Sequence, residues 1–268
     1  MQGVRHYLIA LQFFTRLPVT GRLAAWVGFD PAMLRAAAAH FPGVGWMVAA
    51  WAWTVTAAVW WALPAQGFTP LAAAALGTTA TVLLTGGFHE DGLADVADGL
   101  GGSLDRERAL DIMKDSRIGA FGAMALVLGL TSKIALLAVL GSAGLAPLLW
   151  ALLGGHVLSR LLPLVLPVLL PHVGDTARSK AKPLADQINL RTLGIGALWT
   201  LPALLAAGLA QGAGFVLLAS LGCALAAGWM YRWFRRRLQG FTGDALGATQ
   251  QVCEIAFYLG AACALGRG

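Results

Sequence analysis

The chain has 268 residues, of which 58% are hydrophobic and only 12% are charged, and its formal net charge is +6. A soluble domain carries about 25% charged residues because its surface faces water, so this composition excludes a soluble globular enzyme. The apolar content excludes intrinsic disorder, and three cysteines without a CxxC pair are too few for a disulfide scaffold. The composition therefore predicts a membrane protein built from several apolar helices of about 20 residues each.

The N-terminal segment, residues 1–19, has a short apolar core that is interrupted by Gln12 and followed by Arg16. It has no small-residue cleavage site of the kind that ends a signal peptide. An amphipathic helix that lies in the membrane interface, with Arg5 and Arg16 as anchors, fits this pattern better.

Seven apolar runs follow the N-terminal segment. They lie at about 43–63, 70–88, 119–140, 146–170, 192–210, 212–231 and 249–265. Prolines at positions 163, 167 and 171 predict that the fourth run kinks or ends early. We therefore expect an all-α integral membrane protein with about seven transmembrane helices and an N-terminal interfacial helix, which form a single domain over residues 1–268.

The connections between these runs differ in charge. Three short connections, 64–69, 141–145 and 211–213, carry no charged residue, whereas Lys and Arg collect at the N-terminus and in the alternate connections. Because Lys and Arg in short loops mark the cytoplasmic side of a membrane, the N-terminus and three loops are predicted to be cytoplasmic. These loops lie near 89–118, 171–191 and 232–248.

Most of the acidic residues lie in one of these loops. Of the 13 Asp and Glu residues, the segment 89–117 contains Glu90, Asp91, Asp95, Asp98, Asp105, Glu107, Asp111 and Asp115. The spacing i, i+4, i+7 places Asp91, Asp95 and Asp98 on one helical face, where their like charges repel unless a cation is present. Hard divalent ions take such oxygen ligands, so we expect Asp91, Asp95, Asp98, Asp111 and Asp115 to hold Mg²⁺, with Mn²⁺ as the alternative. The other interpretation is a solvated acidic loop that pairs with its own arginines.

Three further features favour a phosphate ligand. Lys114 and Arg117 flank Asp115, and the segment 241–248 places Thr242 and Asp244 at the start of a helix, where backbone N–H groups can face an anion. The loop 174–183 adds three cations, which are Arg178, Lys180 and Lys182. Each feature is weak alone, because basic loops are common at a cytoplasmic face, but together with the acids they predict a metal–pyrophosphate site. If the three loops share the cytoplasmic face, we expect Asp244, Arg178 and Lys182 to come within one phosphate-sized gap of the face formed by Asp91, Asp95 and Asp98.

Two cations, Lys133 and Arg160, lie inside apolar runs. A cation in a transmembrane segment is costly and usually faces a polar cavity or a polar partner, where these two could bind substrate. The alternative is that both side chains extend to the interface. His89, beside the aspartates, could be a metal ligand, a base or a phosphate contact.

Four sequence blocks resemble one family. The block from His89 to Leu100 has the pattern H-x-D-G-L-A-D-x-x-D-G-L, and it is preceded by LIALQFFTRLPV and followed by IMKDSRIGAFG and TGDALGA. In this order the blocks resemble the cobalamin-5′-phosphate synthase family, also called adenosylcobinamide-GDP ribazoletransferases. The resemblance implies an integral enzyme of the bacterial inner membrane that requires Mg²⁺. Such an enzyme transfers the adenosylcobinamide phosphate moiety from adenosylcobinamide-GDP to α-ribazole or its 5′-phosphate and releases GMP.

The resemblance also implies roles for the residues singled out above. The catalytic candidates are His89, Asp91, Asp95 and Asp98, and the sequence leaves open which of them accepts a proton. Glu90 falls at a variable position of the pattern, which gives it no essential role. The substrate-binding candidates are Lys114, Arg117, Lys133, Arg160, Arg178, Lys180, Lys182, Thr242 and Asp244. The expected partners are the two substrates and the lipid bilayer, without nucleic acid, and whether the protein forms a homo-oligomer stays open.

Two other functions compete with this one. Asp95-x-x-Asp98-Gly99 and Asp111-x-x-x-Asp115 resemble the two halves of the CDP-alcohol phosphotransferase motif, although the Ala-Arg pair of that motif is missing and the interval between the halves is short. A corrinoid or cation transporter would carry charged or broken helices at mid-membrane in paired halves. Lys133, Arg160 and the prolines of the fourth run favour it slightly, whereas the loop position of the acids and the lack of a repeat do not.

Overall fold

The computed structural model describes residues 1–28, 30–174 and 188–266. Within these ranges the chain is helical throughout, apart from turns and one isolated parallel β-bridge between His172 and Phe241. The predicted all-α fold is therefore confirmed.

The helices follow one another along the chain with short connections. They are α1 (Gln2–Phe14), α2 (Gly21–Val27), α3 (Pro31–Ala37), α4 (Phe41–Ala62), α5 (Thr69–Thr85), α6 (Phe88–Gly102), α7 (Arg106–Met113), α8 (Ala120–Ser142), α9 (Leu145–Leu161), α10 (Leu166–Leu169), α11 (Leu190–Gln211), α12 (Ala213–Arg237) and α13 (Gly243–Ala264). Two short 3₁₀ turns, Ala38–His40 and Leu162–Val165, precede α4 and α10. The second of these turns and α10 contain Pro163 and Pro167, so the predicted break in the fourth apolar run is confirmed.

Five segments of the described chain are long and apolar enough to cross a membrane. They are Ala32–Ala62, Ala120–Ser142, Leu145–Leu169, Leu190–Gln211 and Ala213–Arg237. A sixth exists if α5 and α6 form one broken span, but α6 turns 90° away from α5. Gly86 and Gly87 make this turn with φ angles of +69° and +70°, a left-handed conformation that favours glycine. The end of α5 lies beside the N-terminal segment, since the backbone nitrogen of Arg16 donates to the carbonyl oxygen of Leu84 at 2.7 Å. We therefore treat α5 as the membrane-crossing part of this sixth candidate span and α6 as a segment that leaves it.

The last predicted span, 249–265, corresponds to α13, which is not among the five. The physical reason is its surroundings: α13 packs against α6, α8, α9 and α12, so protein rather than lipid covers many of its side chains. A helix in the middle of a bundle can carry Gln and Glu residues that a lipid-facing helix could not. By length and composition, the described chain thus has five or six candidate spans, where the sequence led us to expect about seven.

Small residues allow the helices around α13 to approach closely. A Cβ atom added at Gly222 of α12 would lie 2.6 Å from the carbonyl oxygen of Ala256 in α13. A Cβ atom added at Gly92 of α6 would lie 2.8 Å from the carbonyl oxygen of Asp244 at the start of α13. Glycine at these positions therefore allows α13 to contact its neighbours backbone to backbone, as in other membrane bundles.

The predicted N-terminal helix is α1. It buries Ile9, Leu11 and Phe14 in a hydrophobic cluster with residues of α3 and α4, and the guanidinium of Arg5 lies 5.0 Å from the ring centre of Trp26. At 13 residues α1 is shorter than a membrane crossing requires, which agrees with an interfacial position.

Candidate active site

Three separate parts of the chain meet at one end of the bundle. Arg106 Nε donates a hydrogen bond to the carbonyl oxygen of Leu238 at 2.7 Å, and Arg237 Nη2 donates to that of Ser103 at 2.6 Å. The backbone nitrogen of Phe241 donates to the carbonyl oxygen of Pro171 at 3.0 Å. The described parts of the three predicted loops therefore lie side by side.

Four aspartates form what we call the acid cluster, which consists of Asp91, Asp95, Asp98 and Asp244. The first three lie on α6, which confirms the helix predicted from their spacing. Asp91 is exposed, Asp95 is half-buried and Asp98 is buried. Asp244 lies in the first turn of α13, where the closeness of Gly92 brings it to the acidic face of α6. The expected proximity of Asp244 is thus confirmed, although it lies far from Asp91 in sequence.

The mutual repulsion of these carboxylates is visible in their pKa values. Partial burial, followed by the charges of Asp244, Asp91 and Asp98, raises the pKa of Asp95 to about 7. Burial and then the charge of Asp91 raise the pKa of Asp244 to about 6, although a hydrogen bond from Thr242 opposes the shift. Without a cation the cluster therefore retains protons near neutral pH, and a bound cation would favour its ionised form.

Asp98 has a different environment from the other three. Its Oδ2 atom accepts a hydrogen bond from the backbone nitrogen of Gly119 at 2.7 Å, and its Oδ1 atom accepts one from that of Gly122 at 2.8 Å. Both donors belong to the first turn of α8 or its N-cap, whose N–H groups have no partner within the helix. Asp98 therefore holds the start of α8, and its predicted role in metal binding or catalysis stays a prediction.

The side chain of His89 lies inside the bundle. Its side chain is 2% exposed, and its ring stacks on those of Phe14 and Phe41, with ring centres 6.5 and 5.5 Å away. Its Nε2 atom is buried and has no hydrogen-bond partner among the described residues. The structure thus places the His89 side chain among the buried charged groups around Arg160 and Glu254 rather than on the face with Asp91, and its catalytic role stays a prediction.

The second predicted acidic pair is arranged differently. Asp111 Oδ1 lies 3.4 Å from Lys114 Nζ, and Asp115 Oδ2 lies 2.6 Å from Arg117 Nη2, with all four side chains exposed to solvent. The hydrogen bonds from Arg117 lower the pKa of Asp115 to about 2. This part of the acidic segment matches the alternative of acids that pair with their own cations, and its predicted metal and phosphate roles stay predictions.

Lys133 and Arg160 are buried and do not extend to the interface, with exposures of 2% and 1%. Lys133 Nζ lies 3.1 Å from Glu254 Oε1, and Arg160 Nη1 donates to the carbonyl oxygen of His156 at 2.8 Å. Of the two interpretations, a polar partner inside the bundle is therefore the one observed. A direct contact with substrate stays a prediction for both residues.

Glu254 is the residue that sequence reasoning missed. Its Oε1 atom also accepts a hydrogen bond from Tyr258 at 2.8 Å and lies 3.4 Å from His156 Nδ1, while its Oε2 atom accepts one from Gln250 at 2.7 Å. One signal could have revealed it. Glu254 is an acid in an apolar run, and the two buried cations of other runs require a counterion.

The remaining candidates are placed as follows. The buried side chain of Thr242 accepts a hydrogen bond from the backbone nitrogen of Ala245 at 3.2 Å and so caps α13. Arg178, Lys180 and Lys182 lie outside the described residues.

The donor atoms of the acid cluster decide whether it suits a metal ion. Within the described ranges, no three His, Cys, Asp or Glu side chains converge closely enough to hold an ion by themselves. Mg²⁺ usually binds one or two carboxylates and completes its shell with water and substrate phosphate, so a ready-made cage is not required. The oxygen-only donor set of Asp91, Asp95 and Asp244, together with their mutual repulsion, is chemically suited to Mg²⁺.

The fold and the site together define a polytopic helical membrane protein with a carboxylate cluster at one end of its bundle. The chain belongs to the cobalamin-5-phosphate synthase family, whose model matches residues 6–262.

Curated relatives agree with this assignment. An adenosylcobinamide-GDP ribazoletransferase from Polaromonas sp. strain JS666 is 61% identical, over 98% of both chains. The proteins of the same name from Albidiferax ferrireducens and Shewanella piezotolerans are 59% and 40% identical, over at least 95% of each chain. No solved structure is significantly similar to the chain. The family match favours neither the CDP-alcohol phosphotransferase nor the transporter interpretation.

Proposed function

We propose that the protein transfers the adenosylcobinamide phosphate moiety of adenosylcobinamide-GDP to α-ribazole, or to α-ribazole 5′-phosphate, and releases GMP. Membership in the family and the names of the relatives support this proposal. The single structural observation that carries it is the convergence of Asp91, Asp95 and Asp244 at one end of the bundle, from two helices that are far apart in sequence. A cluster of this kind suits the handling of a pyrophosphate together with a divalent cation.

The transfer is a displacement at phosphorus. A ribose hydroxyl of the acceptor attacks the phosphorus that carries the cobinamide, a new O–P bond forms, the bond to the GMP oxygen breaks, and the hydroxyl proton passes to a base. Such reactions depend mainly on alignment and on neutralisation of charge. We propose that one of the carboxylates of the acid cluster accepts this proton.

We propose Mg²⁺ as the cofactor, with Mn²⁺ as a substitute. Asp91, Asp95 and Asp244 would hold it, and when bound it would neutralise charge on the pyrophosphate. Lys114 and Arg117 are exposed near the site and could contact the leaving nucleotide. Arg178, Lys180 and Lys182 keep the same proposed role, although they lie outside the described residues.

We further propose that the protein resides in the bacterial inner membrane, with the acid cluster and the N-terminus on the cytoplasmic side. The support is the distribution of basic residues, because the end of α12 near the cluster carries Arg235, Arg236 and Arg237. This orientation would be tested by replacing Ser103 or Gln66 with cysteine and labelling each introduced cysteine from either side of the membrane.

The decisive experiment uses the purified full chain in detergent or nanodiscs. Incubation with adenosylcobinamide-GDP, α-ribazole and Mg²⁺ should release GMP in step with formation of the cobalamin product, and chelation of divalent ions should stop the reaction. Replacement of the acceptor by a CDP-alcohol substrate pair should yield no CMP. Absence of GMP release with both forms of the acceptor would refute the proposed function.

A further inference from the structure

A continuous chain of buried side chains connects the interior of the bundle to the first turn of α6. Glu254 Oε1 lies 3.1 Å from Lys133 Nζ, and Glu254 Oε2 accepts a hydrogen bond from Gln250 Nε2 at 2.7 Å. Gln250 Oε1 accepts a hydrogen bond from Gln251 Nε2 at 2.8 Å, and the same Gln251 nitrogen donates to Glu90 Oε1 at 3.0 Å. The chain thus links α8, α13 and α6 through five side chains.

The end of this chain lies next to the acid cluster. Glu90 precedes Asp91 in sequence, yet its side chain is only 6% exposed, whereas that of Asp91 is exposed. Successive residues of an α-helix are about 100° apart around its axis. An attachment at Glu90 therefore helps to fix the rotation of α6 at its first turn, as Asp98 does at its second half, and with it the direction in which Asp91 and Asp95 point.

The strength of the attachment follows from its surroundings. Gln251 is 3% exposed, and the second carboxylate oxygen of Glu90 has no hydrogen-bond partner among the described residues. Loss of the Gln251 amide would leave both oxygens of a buried carboxylate without a side-chain donor in the described part of the chain. A buried acceptor without a partner is costly, so α6 would turn or loosen to bring Glu90 toward water.

We infer that Gln251 and Glu90 are positioning residues: their hydrogen bond holds α6 in the rotation that directs Asp91 and Asp95 toward Asp244. Both side chains are buried, so they act on the reaction through the acid cluster. The kinetic consequence rests on the proposed function, whereas the effect on α6 itself does not.

The test compares two substitutions on the same helix, made in the full-length protein. Gln251→Met keeps the length of the side chain and removes its amide. Thr249→Val is the matched control, because Thr249 is equally buried but its hydroxyl donates only to the carbonyl oxygen of Ala245, within α13 itself. Hydrogen exchange of the α6 backbone amides is expected to be several-fold faster in Gln251→Met and unchanged in Thr249→Val, with exchange in α11 unchanged in both.

Kinetics supply the second measurement. Gln251→Met is expected to lower kcat by roughly tenfold or more, with little change in KM for adenosylcobinamide-GDP, because misplacement of catalytic groups affects the reaction more than binding. Glu90→Met, which removes both acceptor oxygens, should have a similar effect. The double variant should lose no more than the more affected single variant, because both substitutions remove the same bond.

The outcomes separate the two proposals. If the wild-type protein releases no GMP, the proposed function fails, while hydrogen exchange still decides the positioning role. If the wild-type protein is active and Gln251→Met matches Thr249→Val in both exchange and kcat, the positioning role is refuted. Losses that multiply in the double variant would likewise refute it.

Discussion

The carboxylate of Asp98 accepts a hydrogen bond from the backbone nitrogen of Gly119 at 2.7 Å, which joins the second half of α6 to the beginning of α8. The other carboxylate oxygen accepts one from Gly122 at 2.8 Å. A substituent at either glycine would collide with this carboxylate, since a Cβ atom added at Gly119 or Gly122 meets Asp98 first. One aspartate of the acid cluster therefore also accepts hydrogen bonds from the free N–H groups at the start of a candidate membrane-spanning helix.

Asp98→Ala is expected to reduce the stability of the protein. It leaves two backbone donors without their acceptor, at a cost of about 1–3 kcal/mol for each donor that stays buried. Asp98→Asn keeps one acceptor oxygen and should lose less. Unfolding midpoints in detergent, measured for both variants, check this order. Equal midpoints for Asp98→Ala and the wild-type protein would contradict the capping role.

Asp91→Asn and Asp95→Asn are expected to abolish transfer, with activity at least about a hundredfold lower, while the proteins still insert into the membrane. Each change removes a negative charge and one oxygen that could bind a metal ion, but it preserves the shape of the side chain. Asp30→Asn is the matched control, since Asp30 caps α3 with its side chain and is not part of the acid cluster. Initial rates of GMP release provide the measurement, and near-normal turnover in both cluster variants would exclude a metal site on this face.

Asp95 should also make stability depend on pH when divalent ions are absent. Because the folded-state pKa of its carboxyl, about 7, is above the ordinary value of 3.8, the folded protein binds more protons than the unfolded chain between these values. Stability is therefore lost as the pH rises through this window, and the loss is complete above about pH 7. In a chelator, Asp95→Asn should be more stable than the wild-type protein at pH 7.5, and this difference should shrink toward pH 4.5.

The unfolding midpoints of the same two proteins should also respond differently to Mg²⁺. At pH 7.5 a saturating amount of Mg²⁺ should raise the unfolding midpoint of the wild-type protein and have little effect on Asp95→Asn. A wild-type midpoint that responds neither to pH nor to Mg²⁺ would show that the cluster carries no unfavourable charge.

Glu254→Gln is expected to lower the stability of the protein more than the simultaneous loss of both members of its ion pair with Lys133. The single change leaves Lys133 Nζ, which is 2% exposed, without its counterion, and breaking a buried pair costs about 3–5 kcal/mol. Lys133→Met combined with Glu254→Gln removes the unpaired cation and should recover part of the loss. Unfolding midpoints of the two single variants and the double variant form the necessary cycle, in which additive losses would argue against the pairing.

The helix with Asp91, Asp95 and Asp98 could be predicted from sequence because helical periodicity is a local property. The break near Pro163 was predictable for the same reason, since proline acts on its own backbone. The approach of Asp244 was expected from the placement of the three loops on one face of the membrane, although the contact between Gly92 and the backbone of Asp244 that produces it was not. Close packing of this kind depends on the shapes of both helices at once.

The pairing of Lys133 with Glu254 could not be predicted, because it depends on how α8 and α13 are rotated toward each other. The position of α13 inside the bundle was missed for a related reason. A hydropathy pattern does not distinguish a helix that lipid surrounds from one that other helices surround. Glu254, Gln250 and Gln251 carry that information, since polar side chains at such a depth require protein partners.

The position of α13 has a consequence for how the protein is made. A ribosome completes α8 and α9, with Lys133 and Arg160, long before it reaches Glu254, so these two cations enter the membrane region ahead of the acid that later pairs with Lys133. Until α13 arrives, α6 also lacks Asp244 across from it and Gln251 beside Glu90. The polar interior of the bundle and the acid cluster are therefore both incomplete until α13 has been made and has packed against α6 and α8.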